Sequence, residues 1–222
     1  MDESDIFPFP LYHGTSSWYL PSIIEHGLGC LNVHEHLRSR DFLRDTWKLR
    51  LELADSEQKS ELMNRPSSMI SAMIEDRVTN GGFNFRYGQT YCTGEERKAV
   101  SYASNSCGSE LISEATGLLA EIREVSVKAA AELILQYPEM AGCLAFQHEP
   151  IVLCLDGVAH HYVRMEGGGP LTPELDAIAG RLSFELLKGA NFSTMSVFRV
   201  KNITKGCSGP EGYDLVPHEE VT

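Results

Sequence analysis

Two short stretches hold the residues best suited to chemistry: Tyr12-His13-Gly14-Thr15, and Gly88-Gln89-Thr90-Tyr91 with Tyr102 behind it. A neutral histidine donates or accepts at a hydroxyl. A glycine beside it lets a main-chain N–H approach a ligand closely. Tyr91 and Tyr102, a tyrosine pair at such spacing, are by themselves more often core than ligand cradle. Taken singly, each feature is an ordinary structural one. Their occurrence together is what points to a binding cleft.

The elements that position them follow from local pattern. Leu11–His13 reads as a short strand, turned at Gly14 and followed by a polar run and a short helix. Pro21 suits that helix's first turn, where a missing N–H costs nothing. Ile23 and Ile24 give it an apolar side, and Gly27-Leu28 stops it in the left-handed conformation. Downstream, Thr90–Cys92 is β-prone. Thr93 with Glu96 three residues on fits a capping box opening a helix to about Ser104, with Ala99, Tyr102 and Ala103 inward.

Between these stretches, residues 30–78 read as an inserted block of two or three helices, from Leu43, Trp47, Leu51 and Ala54 and from Met69, Ile70, Met73 and Ile74. Arg38, Arg40, Arg44, Lys48 and Arg50 make its first half the most basic local stretch. A packed helical cover with solvated charges is the ordinary reading, a target or partner surface the alternative. Further on, a loop at 105–116, a strand over Leu118–Val125 and a helix over Lys128–Gln136 are expected. Pro150–Leu155 with Asp156-Gly157 and 158–164 reads as a hairpin. A short helix after Thr172, a strand over Arg181–Lys188, a last strand at about 194–203 and a loosely ordered tail from Gly206 complete the chain.

Composition bounds the class. The 222 residues, 42% hydrophobic, suffice for one domain with an insertion. A formal net charge of -12 argues against a broad nucleic-acid face. Six cysteines without a C-x-x-C pair suggest buried thiols in a reducing compartment. The acidic start lacks signal-peptide character, and no run approaches ~18 apolar residues, so a cytoplasmic protein with no membrane partner is expected.

The two motifs together resemble the ADP-ribosyltransferase superfamily, in its His-Tyr-Glu branch, that of diphtheria toxin and the poly(ADP-ribose) polymerases. Tyr12-His13-Gly14-Thr15 is similar to the first motif. Gly88-Gln89-Thr90-Tyr91 is similar to the second, with Tyr102 at the family's spacing of eleven residues. The resemblance implies an α+β fold, a split, mostly antiparallel pair of sheets around an NAD cleft, with NAD as substrate. It implies that His13 bonds the adenosine ribose, that the Gly14 backbone holds the nicotinamide carboxamide and that Thr15 touches the ribose. Tyr91 would stack on the nicotinamide ring, and Tyr102 would close the pocket. It also implies an acid at the start of a late strand, since a fixed carboxylate stabilises the oxocarbenium charge that builds as the glycosidic bond breaks. Counting strands from His13, Glu185 leads the fifth, where the family has its acid, and is the choice over Glu149, which leads the fourth and precedes Pro150. Single transfer of ADP-ribose to a macromolecular acceptor, protein or nucleic acid, is the activity implied. An NAD glycohydrolase and a catalytically silent binding module are the alternatives. An intracellular toxin or effector, with an antitoxin or inhibitor protein as partner, rests on analogy.

Overall fold

Leu11, fully buried, begins a strand that all other strands are arranged around. The computed structural model describes residues 6–57, 67–78, 84–166, 171, 188–194, 198–204 and 212–217. Strand β1 (Leu11–Ser16) is followed by β2 (Tyr91–Thr93), β3 (Pro150–Leu155), β4 (Val163–Met165), β5 (Asn191–Thr194), β6 (Phe198–Thr204) and β7 (Gly212–Pro217). They form one sheet in the order β4-β5-β2-β1-β3-β7-β6, antiparallel except for the parallel pair β3–β7. The arrangement is α+β. The expected split into two sheets is replaced by a weak joint in one. β1 pairs with β3 from Leu11↔Leu155 to Ser16↔Pro150, but with β2 only at Tyr12↔Thr93.

The described residues cluster into two compact units. The first is 1–31, 89–108 and 148–222, and it carries the sheet; the second is 32–88 and 109–147, and it is helical. In the first, helix α1 (Leu20–His26) starts on Pro21 as expected. Ile23 is buried while Ile24 is half exposed. Gly27 stops the helix not in the expected left-handed helical conformation but at φ 92 and ψ 155, a region open essentially to glycine. This sends Leu28 into an isolated bridge with Phe198, each N–H donating to the other's carbonyl at 2.8 and 3.0 Å. In the N-terminal FPFP segment, Phe7 and Phe9 are buried, and Phe7 packs edge-on against Phe192.

The helical unit holds α2 (Val33–His36), α3 (Ser39–Leu53) and α4 (Ser67–Glu75), so the described part of the block at 30–78 is mainly helical, as read. The sheet unit contributes α5 (Glu96–Ala103), and the helical unit then continues with α6 (Glu110–Val125), α7 (Val127–Ile134) and α8 (Pro138–Ala145). Here the strand expected over Leu118–Val125, and the loop before it, are corrected to α6. Leu111, Ile112, Ala115, Leu118, Leu119 and Ile122 all turn inward at helical spacing, capped by Ser109 accepting from Ile112 N–H. The Leu118-Leu119 pair belongs to that 3.6-residue pattern, and tertiary burial against α3 decides it. Pro138 does not merely end a helix; it opens α8.

Three further expectations change. Asp156-Gly157 turns, with Gly157 at φ 64, but it joins no hairpin. β3 lies between β1 and β7, while β4 pairs with β5 at the far edge. The last strand is two, β5 and β6. The tail from Gly206 contains β7, held in parallel against β3. The helix after Thr172 and the strand over Arg181–Lys188, Glu185 included, fall almost wholly outside the described residues.

Candidate functional site

The weak joint between β1 and β2 is where the two motifs meet. After Tyr12↔Thr93 the next pairs in register would be His13 with Cys92 and Gly14 with Tyr91, and neither is made. In their place the His13 ring spans the gap, with Nδ1 2.6 Å from the Tyr91 carbonyl oxygen. A carbonyl only accepts, so Nδ1 carries the proton and donates. Burial holds the imidazole's pKa below its usual value, outweighing the opposing effect of that bond. His13 is therefore neutral, with Nε2 left as an acceptor. Residues 78 apart in sequence are thus joined by one side chain.

Gly14 is constrained from the other side. A Cβ there would lie 1.9 Å from the Ala99 carbonyl oxygen and 2.8 Å from Ala103 N, because α5 crosses directly over it. Beyond, Gly108 at φ +65 presses its backbone on Thr15 and Ser16. Thr15 is 5% exposed. Ala99 and Ala103 are buried as expected, and Tyr12 packs beside them. Two details of the second motif are corrected. The helix begins at Glu96 with Glu95 as its cap and no capping box; Thr93 Oγ1 instead accepts from Glu95 N–H at 3.4 Å. Tyr102 does not turn inward: it is 36% exposed, and its hydroxyl accepts from Asn191 Nδ2 at 3.5 Å.

The carboxylates are arranged differently from the strand count made on the sequence. With 118–125 helical, Glu149 precedes the third strand. It is exposed and held through its main chain, its N–H donating to Ser17 Oγ at 3.0 Å and its carbonyl accepting from Ser17 N–H at 2.9 Å. The fifth described strand, β5, opens on Asn191, an amide. Asn191 Nδ2 donates to Glu166 Oε2 at 3.0 Å, and Glu166 N–H donates to the Asn191 carbonyl at 3.1 Å. Nothing in the sequence announces Glu166, which follows β4 by one residue and reaches β5 only through sheet pairing.

A second group unforeseen in the sequence is Ser16, His148 and Cys107. His148 lies with Nδ1 2.5 Å from Ser16 Oγ and Nε2 3.1 Å from the buried Cys107 Sγ. Cys30, Cys92, Cys107, Cys143 and Cys154 are free thiols; all but the exposed Cys30 are at least partly buried, and burial pushes the Cys92 thiol up.

The basic stretch of the helical unit is largely neutralised by its own neighbours. Arg38 and Arg44 share Asp41 at 3.4 and 2.6 Å, Arg40 meets Asp76 at 3.1 Å, and Arg50 meets Glu121 at 2.9 Å. Arg38, Arg40 and Arg44 line a cavity of about 370 Å³ with His34. This fits the helical cover better than an open basic face.

No protein-family model, curated protein or solved structure matches this chain. Among the described residues no helix is long and apolar enough to cross a membrane.

Proposed function

We propose that this chain has an ADP-ribosyltransferase-like fold and moves single ADP-ribose units from NAD to a macromolecular acceptor, protein or nucleic acid. The observation that carries the reading is the joint: neutral His13 tethered to Tyr91 beside a Gly14 that pairs with Val152 of β3 but with no residue of β2. Unpaired strand edge supplies main-chain donors and acceptors for a carboxamide. Nε2 of His13 is free in tautomer to accept a ribose hydroxyl. Tyr91 offers a face to the cationic nicotinamide.

In the transfer, the C1′–N bond breaks and its electron pair leaves with the nicotinamide nitrogen, quenching that ring's charge. The C1′ cation takes a lone pair from the acceptor, which loses a proton to solvent. A fixed carboxylate near C1′ stabilises the developing charge. Glu185 is the acid implied by the resemblance, and a toxin or effector countered by an inhibitor protein remains the biological setting proposed by analogy.

A second reading, an NAD-binding module without transfer, is favoured by one observation, that β5 opens on Asn191 rather than an acid. Nicotinamide release from NAD, with and without cell lysate, separates them. Release that needs lysate, with label retained in a protease- or nuclease-sensitive fraction, is the transferase result. Equal release without lysate means a glycohydrolase. NAD binding without release means the silent module, and no binding at all sinks the reading.

A further inference from the structure

The helical unit has a face that its own packing leaves open. Helices α3 and α7 each lie against α6 rather than chiefly against each other. A groove of about 320 Å³ runs between them. On α3 it takes positions 45, 48, 49 and 52; on α7 it takes 129, 132, 133 and, just past the helix end, 136. Both sets follow i, i+3, i+4, i+7 spacing, so each helix presents one continuous stripe, two turns long, to the space between them.

Leu49, Ala129 and Leu133 give the groove apolar walls. Its charge is acidic: Asp45, Glu52 and Glu132 stand against Lys48, three carboxylates to one ammonium, a net of -2. Among the described residues no arginine lines it. The Tyr137 hydroxyl donates to Asp45 Oδ2 at 2.5 Å and fixes that carboxylate. The other two are loosely engaged. Lys48 Nζ lies 4.0 Å from Glu52 Oε1 and Lys128 Nζ 3.7 Å from Glu132 Oε1, in side chains 61% to 85% exposed. Exposed pairs of this kind contribute little, so an incoming cation can take either carboxylate. Asp45 and Glu52 are seven residues apart on one helix face, about 10.5 Å along the axis at 1.5 Å per residue. A second helix laid along the groove matches that spacing with cations at i and i+7.

We propose that this groove docks a basic amphipathic helix of a separate protein. The helix sets an apolar stripe on Leu49, Ala129 and Leu133. Its flanks carry Lys or Arg, two of them opposite Asp45 and Glu52 and one opposite Glu132. This is recognition by a helix in a groove, with apolar anchors for affinity and charge for selection. Charge also decides among occupants. A second copy of this chain brings a net charge of -12 to an acidic groove, and like charges repel across an interface. A basic segment is instead steered toward the same surface. The groove lies wholly within the helical unit. The inference is therefore independent of the NAD reading, and either can fail alone.

The test uses the full chain and three labelled synthetic peptides of about 14 residues, ~21 Å long when helical. One is an amphipathic Leu/Lys helix, one a scrambled sequence of the same composition, and one the amphipathic helix with Glu in place of Lys. Fluorescence anisotropy should show the amphipathic Lys peptide binding in the micromolar range, ahead of both others, and weakening as salt is raised. Glu52→Lys combined with Glu132→Lys should weaken it ~tenfold, the scale of two exposed pairs turned from attraction to repulsion, and should improve binding of the Glu peptide. Glu25→Lys combined with Glu149→Lys makes the same change in net charge at exposed positions of the sheet unit, and should leave affinity within about twofold. Should the groove variant melt lower than wild type, Glu52→Gln combined with Glu132→Gln replaces it, with an expected loss of ~threefold. An equal loss in the sheet-unit variant, or equal affinity for the scrambled peptide, reduces the effect to overall charge and overturns the inference. So does a Lys peptide that fails to bind at millimolar concentration. Sedimentation velocity of wild type alone tests the remaining occupant: self-association abolished by the groove variant would put a second copy there and overturn the separate partner.

Discussion

His13 shows how a single side chain can organise a site. Its ring takes the place of a missing backbone pair, so its tautomer is set by a carbonyl rather than by solvent. Because burial lowers its folded pKa below 6.5, the unfolded chain binds the proton more readily. Stability then rises with pH through that interval and falls as pH drops below 6.5. His34, held down to about 4 by burial and by Arg40, adds in the same direction. The urea midpoint should therefore fall between pH 7 and pH 5, and His13→Gln should make that fall shallower; an unchanged slope would mean the ring is not buried neutral. Gly14 presents a harder constraint. A methyl group there collides with the backbone of α5 rather than a flexible side chain. Gly14→Ala should cost about 3 kcal/mol, the upper range for overpacking, read from chemical denaturation. A loss under ~0.5 kcal/mol, typical of a tolerant surface position, would place α5 elsewhere.

Among the elements, α6 is the one whose identity matters most. It replaces an expected strand, and its burial pattern supplies a continuous apolar face from Leu111 to Ile122. Leu118, 2% exposed at the centre of that face, should cost about 2–5 kcal/mol when cut to Ala. A strand on an edge would show a smaller effect, and Glu121→Ala would then leave Arg50 undisturbed. In the helix, Glu121 is instead the partner of Arg50, a residue 8% exposed. Its removal strands a buried charge and should be destabilising as well. β7 carries a related lesson. A segment rich in glycine and proline around it reads as a tail, yet Gly212–Pro217 completes the sheet beside β3.

For the whole molecule, the measurable consequence of the NAD reading is linkage. A ligand that binds only the folded state raises its stability by RT ln(1 + [L]/Kd), about 2.7 kcal/mol at 100 times Kd. The melting temperature should therefore climb with NAD concentration. A melting temperature indifferent to millimolar NAD would exclude binding in the useful range. The net charge of -12, with the arginines of α3 already paired, fits a protein acceptor better than a long polyanion.

What the sequence determined by itself is local. The first motif on a strand, the Pro21 helix start, the helical character of the described part of 30–78 and the burial of Ala99 and Ala103 all follow from short-range pattern. Tertiary structure decided the rest, for two physical reasons. Leu118–Val125 and Asp156-Gly157 carry patterns that fit two outcomes, and only the partner surface selects between them: α3 for the first, β5 for the strand that follows the second. The carboxylate question is of the other kind. Glu166 and Asn191 lie 25 residues apart, and β pairing brings Oε2 within 3.0 Å of Nδ2. Register across a sheet is a long-range property, fixed by which strands bury their faces together. No local pattern around either residue encodes it.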